Sequence, residues 1–321
     1  MAIQRRGQGR VSWNSGALLL GLLLLVLTLI PRSVNADEPA TMPGIAQDWF
    51  YTKDSLADYD LAGMGATWAY NYQVDAEDRG NVEYVHMVWR LRTDRLRQFE
   101  RIAGENPGAT WLLGNEPDGH GQANQTPAEY AAGYKAIYHT IKQIDPTAQI
   151  FAGGISTVSP LRLAWLDAML AAYGEPFPAD GWHIHPYILP EACAWGLGLP
   201  VGIDASAAAG RGCEYADRHG DYSAFVEQID LFTSWADDRG MAWPIIVSEY
   251  GILMEAAHGY DQRRINDYLY ATTMYMHNHP QIVRYAWFSA NFTALPGQTF
   301  DRSTKQLTAT GRAYQRFEAS R

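Results

Sequence analysis

Short segments rich in apolar and β-branched residues alternate along this chain with stretches patterned at helical spacing, and that alternation restricts the fold more than any other feature. Strands joined through helices lie parallel in one sheet, because the crossover returns the chain to the edge it left. The pattern predicts strands at Ala66–Tyr72, Val82–Trp89, Thr110–Asn115, Gln149–Gly154, Gly181–His185, Pro244–Ser248 and Val283–Phe288. An eighth, Asp48–Thr52, is aromatic but weakly patterned, and counting it first completes a closed barrel. Thr126-Pro127 and Ser159-Pro160 each put a capping residue before a proline at the first helical position. After the first of these, Tyr130, Tyr134, Ile137, Tyr138 and Ile141 recur at helical spacing until Asp145-Pro146 ends the run. Further helices are expected at Ser223–Asp238, Arg263–His277 and Ala309–Phe317. The fold class implied is α/β, a single-domain (β/α)8 barrel.

Residues 1–36 read as an export signal, with Arg5, Arg6 and Arg10 before an apolar run and Val34-Asn35-Ala36 as a cleavage site. That run, Ala17 to Ile30, has 14 residues, short of the roughly 20 that a spanning helix needs. Cleavage after Ala36 is therefore favoured, with an uncleaved membrane anchor as the alternative. The expected product is secreted or extracytoplasmic and meets a membrane only if the segment stays. What remains, residues 37–321, carries 21 basic and 35 acidic side chains, a net charge near −14. Such a surface excludes nucleic acid as a partner. Its 285 residues suit one barrel, which usually takes about 250. Nothing in the sequence fixes an oligomeric state.

Two cysteines, Cys193 and Cys213, lie 20 residues apart. In an exported protein they are expected to pair, stapling the Gly- and Ala-rich segment between them by about 3 kcal/mol in the chain-entropy model. Two buried free thiols are the alternative.

Functional groups of such barrels gather at the C-terminal ends of strands. Here those ends offer Tyr70 and Asn71, Trp89, Asn115 and Glu116, His183, His185 and Tyr187, Glu249, and Trp287. Pro117 disfavours helical geometry in the residue before it, so Glu116 is expected to be extended, the last residue of its strand. Alternation places Ile245, Val247 and Glu249 on one face, with the two branched residues filling the barrel and Glu249 at its mouth. Two carboxylates facing each other across a cleft suit glycoside hydrolysis, in which one stays protonated while the other stays ionised. A polysaccharide or oligosaccharide is then the expected substrate, and Trp287, Trp68 and Trp89 are the aromatic residues best placed to contact it.

Three other readings compete. Either glutamate alone could form a salt bridge at the barrel rim. His183-x-His185 puts two imidazoles on one face, as in metal-dependent barrel hydrolases. A third His at a neighbouring strand end and an Asp closing the last strand are missing, so no metal or cofactor is expected. A catalytically silent glycan-binding barrel would have no need of two acids.

The motifs Trp68-Ala69-Tyr70-Asn71-Tyr72, Leu112-Leu113-Gly114-Asn115-Glu116-Pro117-Asp118, His185-Pro186-Tyr187, Ser248-Glu249-Tyr250-Gly251 and Leu307-Thr308-Ala309-Thr310-Gly311 resemble those of the clan A retaining glycoside hydrolases. They are most similar to glycoside hydrolase family 128, a group of secreted β-1,3-glucanases. The resemblance implies that Glu116 is the acid/base, Glu249 the nucleophile and Asn115 a donor to the sugar 2-hydroxyl. It also implies that His185 and Tyr187 line the site and that Trp287 lies beneath the reacting sugar. The chain differs where Gly114 runs directly into Asn115 and where Tyr72 takes the place of a tryptophan.

Overall fold

The computed structural model describes residues 41–321 except 76–78, 175, 194, 205, 207–212 and 255–257. The expected export signal therefore lies outside the described residues, among which no helix is long and apolar enough to cross a membrane. The described strands are β1 (Met42–Ala46), β2 (Trp68–Tyr70), β3 (Glu83–Tyr84), β4 (His86–Val88), β5 (Thr110–Leu113), β6 (Gln149–Ile155), β7 (Gly181–Ile184), β8 (Ile245–Tyr250) and β9 (Ile282–Phe288). They form one parallel sheet in the order β3-β2-β1-β9-β8-β7-β6-β5-β4. Only Val85 separates β3 from β4, and its N–H bonds Ala69 O. The two pieces share one barrel position, so the sheet closes on itself as the expected eight-position (β/α)8 barrel.

The expected first strand requires correction. Asp48–Thr52 is not a strand: Trp49–Thr52 forms a single helical turn, α1, with the Asp48 carboxylate accepting from Tyr51 N as its cap. The strand lies upstream at Met42–Ala46, paired on both sides. Pro43 and Gly44 hide it from a periodicity reading. Gly44 is required because a Cβ there would lie 2.3 Å from the Trp68 indole. β5 still occupies the fourth barrel position and β8 the seventh.

The expected helices start at side-chain caps, and two that were not expected, the second without a side-chain cap, precede them. α2 (Leu61–Met64) and α3 (Leu96–Glu105) precede α4 (Pro127–Ile144), where Thr126 and Glu129 form a capping box. α5 (Pro160–Tyr173) is capped by Ser159, α6 (Tyr222–Asp237) by Asp221, α7 (Gln262–His277) by Asp261 and α8 (Ala309–Ala319) by Thr308. The apolar faces of these helices pack on the outer sheet surface with Trp111, Ile150, Trp182, Val247 and Trp287. A second, smaller cluster fills the barrel, including Ala46, Trp68, Met87, Leu112, Phe151, Ile246 and Ala286. Cys193 and Cys213 form the expected disulfide, with Cα atoms 5.2 Å apart.

Gly133, in the middle of α4, sets two effects against each other. Alanine gains about 1 kcal/mol of helix propensity, but its Cβ would sit 2.5 Å from Leu91 O. That carbonyl cannot retreat easily, because Gln125 bonds both Leu91 N and Leu91 O. Overpacking against a fixed backbone costs about 1–3 kcal/mol. Gly133→Ala is therefore expected to lower stability by roughly 1–2 kcal/mol in denaturant titration, against its intrinsic propensity.

Candidate active site

Glu249 reaches the barrel mouth by a route that simple alternation misses. Ile245 and Val247 pack on the outer layer and Ile246 belongs to the barrel interior, so the expected facing of this strand was inverted. The pairing with β9 shifts register between Val247 and Tyr250. This irregularity lets Ser248 meet the interior His183, carries Glu249 into the cleft and leaves Tyr250 on the outer layer.

The Glu249 carboxylate is surrounded by hydroxyl donors. Tyr72 donates to Oε1 at 2.9 Å and Tyr187 to Oε2 at 3.0 Å. Tyr70 lies 3.1 Å from Oε1 and shares its proton with Ser248 O at 2.9 Å. Tyr187 is in turn fixed through its own carbonyl, which accepts from Thr157 Oγ1 and Gln228 Nε2.

Glu116 stands three residues beyond the end of β5, not at its last position, and its φ is +44° rather than extended. Two constraints produce this. Gly114, at φ +99°, could not carry a Cβ, which would fall 2.7 Å from the Tyr130 ring. The Glu116 N–H is then drawn 2.7 Å from Gly154 O on the neighbouring strand β6. A left-handed conformation costs a non-glycine residue about 1–2 kcal/mol, so the surroundings must impose it.

A buried charge cluster holds the loop that carries Glu116. Arg162, fully buried on α5, donates through Nη1 to Asp118 Oδ2 at 2.7 Å and through Nε to Glu191 Oε1 at 2.9 Å. Its Nη2 bonds Gly198 O at 2.7 Å, in the disulfide-bridged segment. Asp118 also accepts from Ser156 N and Oγ. The loop carrying Glu116 is thereby tied to three other parts of the chain.

His185 lies between the two acids. Its Nδ1 is 3.1 Å from Glu116 Oε1 and its Nε2 is 3.6 Å from Glu249 Oε1. Burial holds this imidazole below its ordinary pKa, and a neutral imidazole has one donor and one acceptor. Hydrogen-bond counting then points to one distribution of the protons. Glu249 accepts from tyrosines, whereas the side chain of Glu116 bonds only His185 among the described residues. The arrangement that serves Nδ1 is a protonated Glu116 donating to it, which leaves Nε2–H facing an ionised Glu249 at 3.6 Å, too far for a hydrogen bond.

The electrostatics agree. Burial pushes the Glu116 carboxyl up to about 8, the Asp118 charge adds to this, and Arg162 opposes it. Burial also raises Glu249, but His185 and the hydroxyls of Tyr72 and Tyr187 counter that rise while the Glu116 charge adds to it. Both carboxyls are raised, and only Glu249 has donors to offset its desolvation.

Glu116, His185 and Glu249 can each offer one atom within 4.8 Å of the others, the geometry of a three-ligand cation site. The expected metal alternative, His183 with His185, is not built that way. His183 Nδ1 lies 3.0 Å from Ser248 Oγ and its Nε2 faces Leu113 O, so its ring serves the barrel interior.

These groups open into a cleft of about 610 Å³ whose lining includes Asn115, Glu116, Tyr187, Glu249, Tyr72 and Trp89. Asn115 Nδ2 reaches Gln122 Oε1 at 3.5 Å. A separate groove of about 560 Å³ near Tyr222 and Arg264 shares no lining residue with it.

Three expected site residues lie elsewhere. Trp287 is fully buried in the outer layer and donates to Gly297 O at 2.7 Å. Its neighbour Phe288 lines the cleft in its place. Trp68 is fully buried and donates to Met42 O. Asn71 accepts from Tyr84 and Gln73 N, stabilising its own loop. Sequence reading missed Tyr72 as a partner of Glu249, although two-residue spacing from Tyr70 was available. It also missed Arg162, whose role no local motif signals.

Residues 44–193 and 215–314 match the family model described as glycosyl hydrolase catalytic core. No curated protein matches the chain. Among solved structures, a subgroup II endo-β-1,3-glucanase of glycoside hydrolase family 128 from Pseudomonas viridiflava is 22% identical, with a TM-score of 0.62 over 85% of this chain and 96% of that one. A subgroup I enzyme from Amycolatopsis mediterranei, in complex with laminaritriose, is 20% identical, with a TM-score of 0.60 over 86% and 99%. A curdlan-specific exo-β-1,3-glucanase from Blastomyces gilchristii is 18% identical, with a TM-score of 0.61 over 87% and 99%. At these identities the likeness establishes the fold.

The raised Glu116 carboxyl has a consequence for stability. The folded chain keeps this proton up to about pH 8, while the unfolded chain loses it near 4.5, the ordinary value for a glutamate. Between those values the folded state binds more protons, so this group lowers stability as pH rises. Glu116→Gln removes the titration. Its melting temperature relative to wild type is expected to climb between pH 4.5 and pH 8, by an amount on the order of a few kcal/mol in stability. A constant difference across that range would refute the assignment.

Proposed function

From the premise that this chain belongs to the glycosyl hydrolase catalytic core family, we propose that it is an exported enzyme that cleaves a β-1,3-glucan with retention of configuration. The observation that carries the retaining mechanism is the approach of Glu116 and Glu249, whose nearest side-chain oxygens lie within 4.8 Å. Retaining enzymes keep their carboxyl groups about 5–5.5 Å apart, whereas inverting enzymes leave roughly 6.5–9.5 Å for a water. The substrate reading is supported by similar folds described as acting on β-1,3-glucans, one of them holding laminaritriose. The disulfide fits an oxidising compartment and so supports export.

In the first step the Glu249 carboxylate attacks the anomeric carbon while Glu116 gives its proton to the departing glycosidic oxygen. The C–O bond breaks and a glycosyl ester to Glu249 forms. Glu116, now ionised, takes a proton from water, whose oxygen attacks the same carbon and displaces Glu249. The donors on Glu249 orient it and keep it ionised before attack, and must relax as its charge is consumed. His185 couples the two carboxyls, so the proton leaving Glu116 is felt at Glu249. Asn115, at the cleft beside Glu116, is placed to donate to a hydroxyl of the reacting sugar.

Proton NMR of the first product released from a β-1,3-glucan is expected to show the β-anomer. An initial α-anomer would replace the retaining mechanism with an inverting one. Absence of any new reducing end would leave only a glycan-binding barrel.

Glu249→Gln is expected to abolish formation of the glycosyl-enzyme. Glu116→Gln is expected to lose about 10²–10⁴-fold on glucan, the usual contribution of a general acid. It should retain much of its first-step rate on a substrate whose leaving group needs no proton. A fluorinated slow substrate followed by peptide mapping should place the label on Glu249, and a label elsewhere would reverse the roles. Activity is expected to survive a strong chelator, and its loss would favour the cation site formed by Glu116, His185 and Glu249.

A further inference from the structure

Resting on the glucan-hydrolase reading, we propose that Tyr51, Phe292 and Phe288 form an aromatic platform for the glycone arm of the substrate, the sugars on the non-reducing side of the cleaved bond. Tyr51 projects from the one-turn helix α1 and is 79% exposed. A lone exposed aromatic would need no explanation. This one belongs to a continuous row: its ring lies 5.5 Å from that of Phe292, which lies 5.9 Å from Phe288. All three line the cleft that holds Glu116 and Glu249.

The row is anchored from behind. Asp48 N donates to Asn291 Oδ1 at 3.1 Å, and Asn291 Nδ2 donates to Thr52 Oγ1 at 3.0 Å. Asn291 thus pins the segment carrying Tyr51 to the segment carrying Phe292. Both follow adjacent strands, with Ala46 of β1 opposite Phe288 of β9. The platform is therefore set by the sheet and does not depend on a free loop. Apolar C–H faces of pyranose rings pack on such surfaces, while the ring hydroxyls stay in water.

Topology gives the platform its polarity. Glu116 follows β5, and β9 lies four barrel positions away, as far as an eight-position ring allows. The leaving sugar must sit beside the acid that protonates it, on the β5 side. The platform at β9 and β1 then receives the other arm of the chain.

The test uses β-1,3-linked glucose oligomers of increasing length, marked at the reducing end with ¹⁸O, and compares wild type with Tyr51→Ala and Tyr51→Phe. Losing one aromatic contact should lower kcat/KM on long oligomers by roughly 2- to 12-fold. The shortest substrate cleaved should change little. With glycone binding weakened, cleavage should move toward the non-reducing end. Tyr51→Phe should keep the wild-type rate and pattern, since the ring and not the hydroxyl carries the contact. An unchanged pattern, a shift toward the reducing end, or an equal loss at all lengths would overturn the platform while leaving the glucanase reading intact. Failure of the wild-type enzyme to cleave any oligomer would instead overturn the reading on which the platform rests, and the platform with it.

Discussion

Two carboxyl groups buried within 4.8 Å of each other are the constraint to which the rest of this structure answers. Neither tolerates charge well in such a place, and both cannot be ionised together without strong repulsion. The molecule resolves the conflict by making the surroundings unequal. Glu249 receives tyrosine hydroxyls on both oxygens, whereas Glu116 faces one imidazole and has the Asp118 charge nearby. One proton shared between the pair therefore has a preferred owner, which is the condition that acid catalysis with a nucleophilic partner requires.

That inequality depends on backbone placement that is costly by itself. Glu116 adopts a positive φ, Gly114 omits a side chain that would strike the Tyr130 ring, and Gly154 omits one that would strike Gly114 O. The Asp118–Arg162–Glu191 cluster then closes the loop from outside. Its arginine is fully buried and bonds two carboxylates and two backbone carbonyls. Breaking a pair of this kind by removing one partner typically costs about 3–5 kcal/mol, because the remaining charge stays buried. The cluster also reaches Gly198 in the disulfide-bridged segment, so the wall of the cleft that includes Leu197 and the loop bearing the acid are held by one guanidinium.

The barrel contributes separation with order. Its opposite sides deliver different groups to one mouth: Glu116 from the fourth position, Glu249 from the seventh, and the aromatic row from the eighth and first. Because each position is fixed by parallel pairing to two neighbours, the distances between them are set by the sheet. Loops then adjust side-chain direction locally, as the register shift after Val247 does for Glu249.

The sequence alone determined the β/α order, most of the helix starts and the two glutamates that meet at the barrel mouth, because these rest on local rules: capping, proline position and short apolar runs followed by a carboxylate. It also carried the cysteine pairing and the convergence of Tyr70, His185 and Tyr187. Tertiary structure decided which face each side chain takes. The strand at Met42–Ala46 is hidden by Pro43 and Gly44, and is recognisable only through its pairing with β2 and β9. The reversed facing of Ile245 and Val247, and the exchange of Trp287 for Phe288 at the cleft, have the same origin. In a strand one residue of register moves a side chain from one layer to the other, and only contacts distant in sequence choose between them. Arg162 and Asp118 were likewise invisible, because the charge of each is explained by a partner 44 residues away.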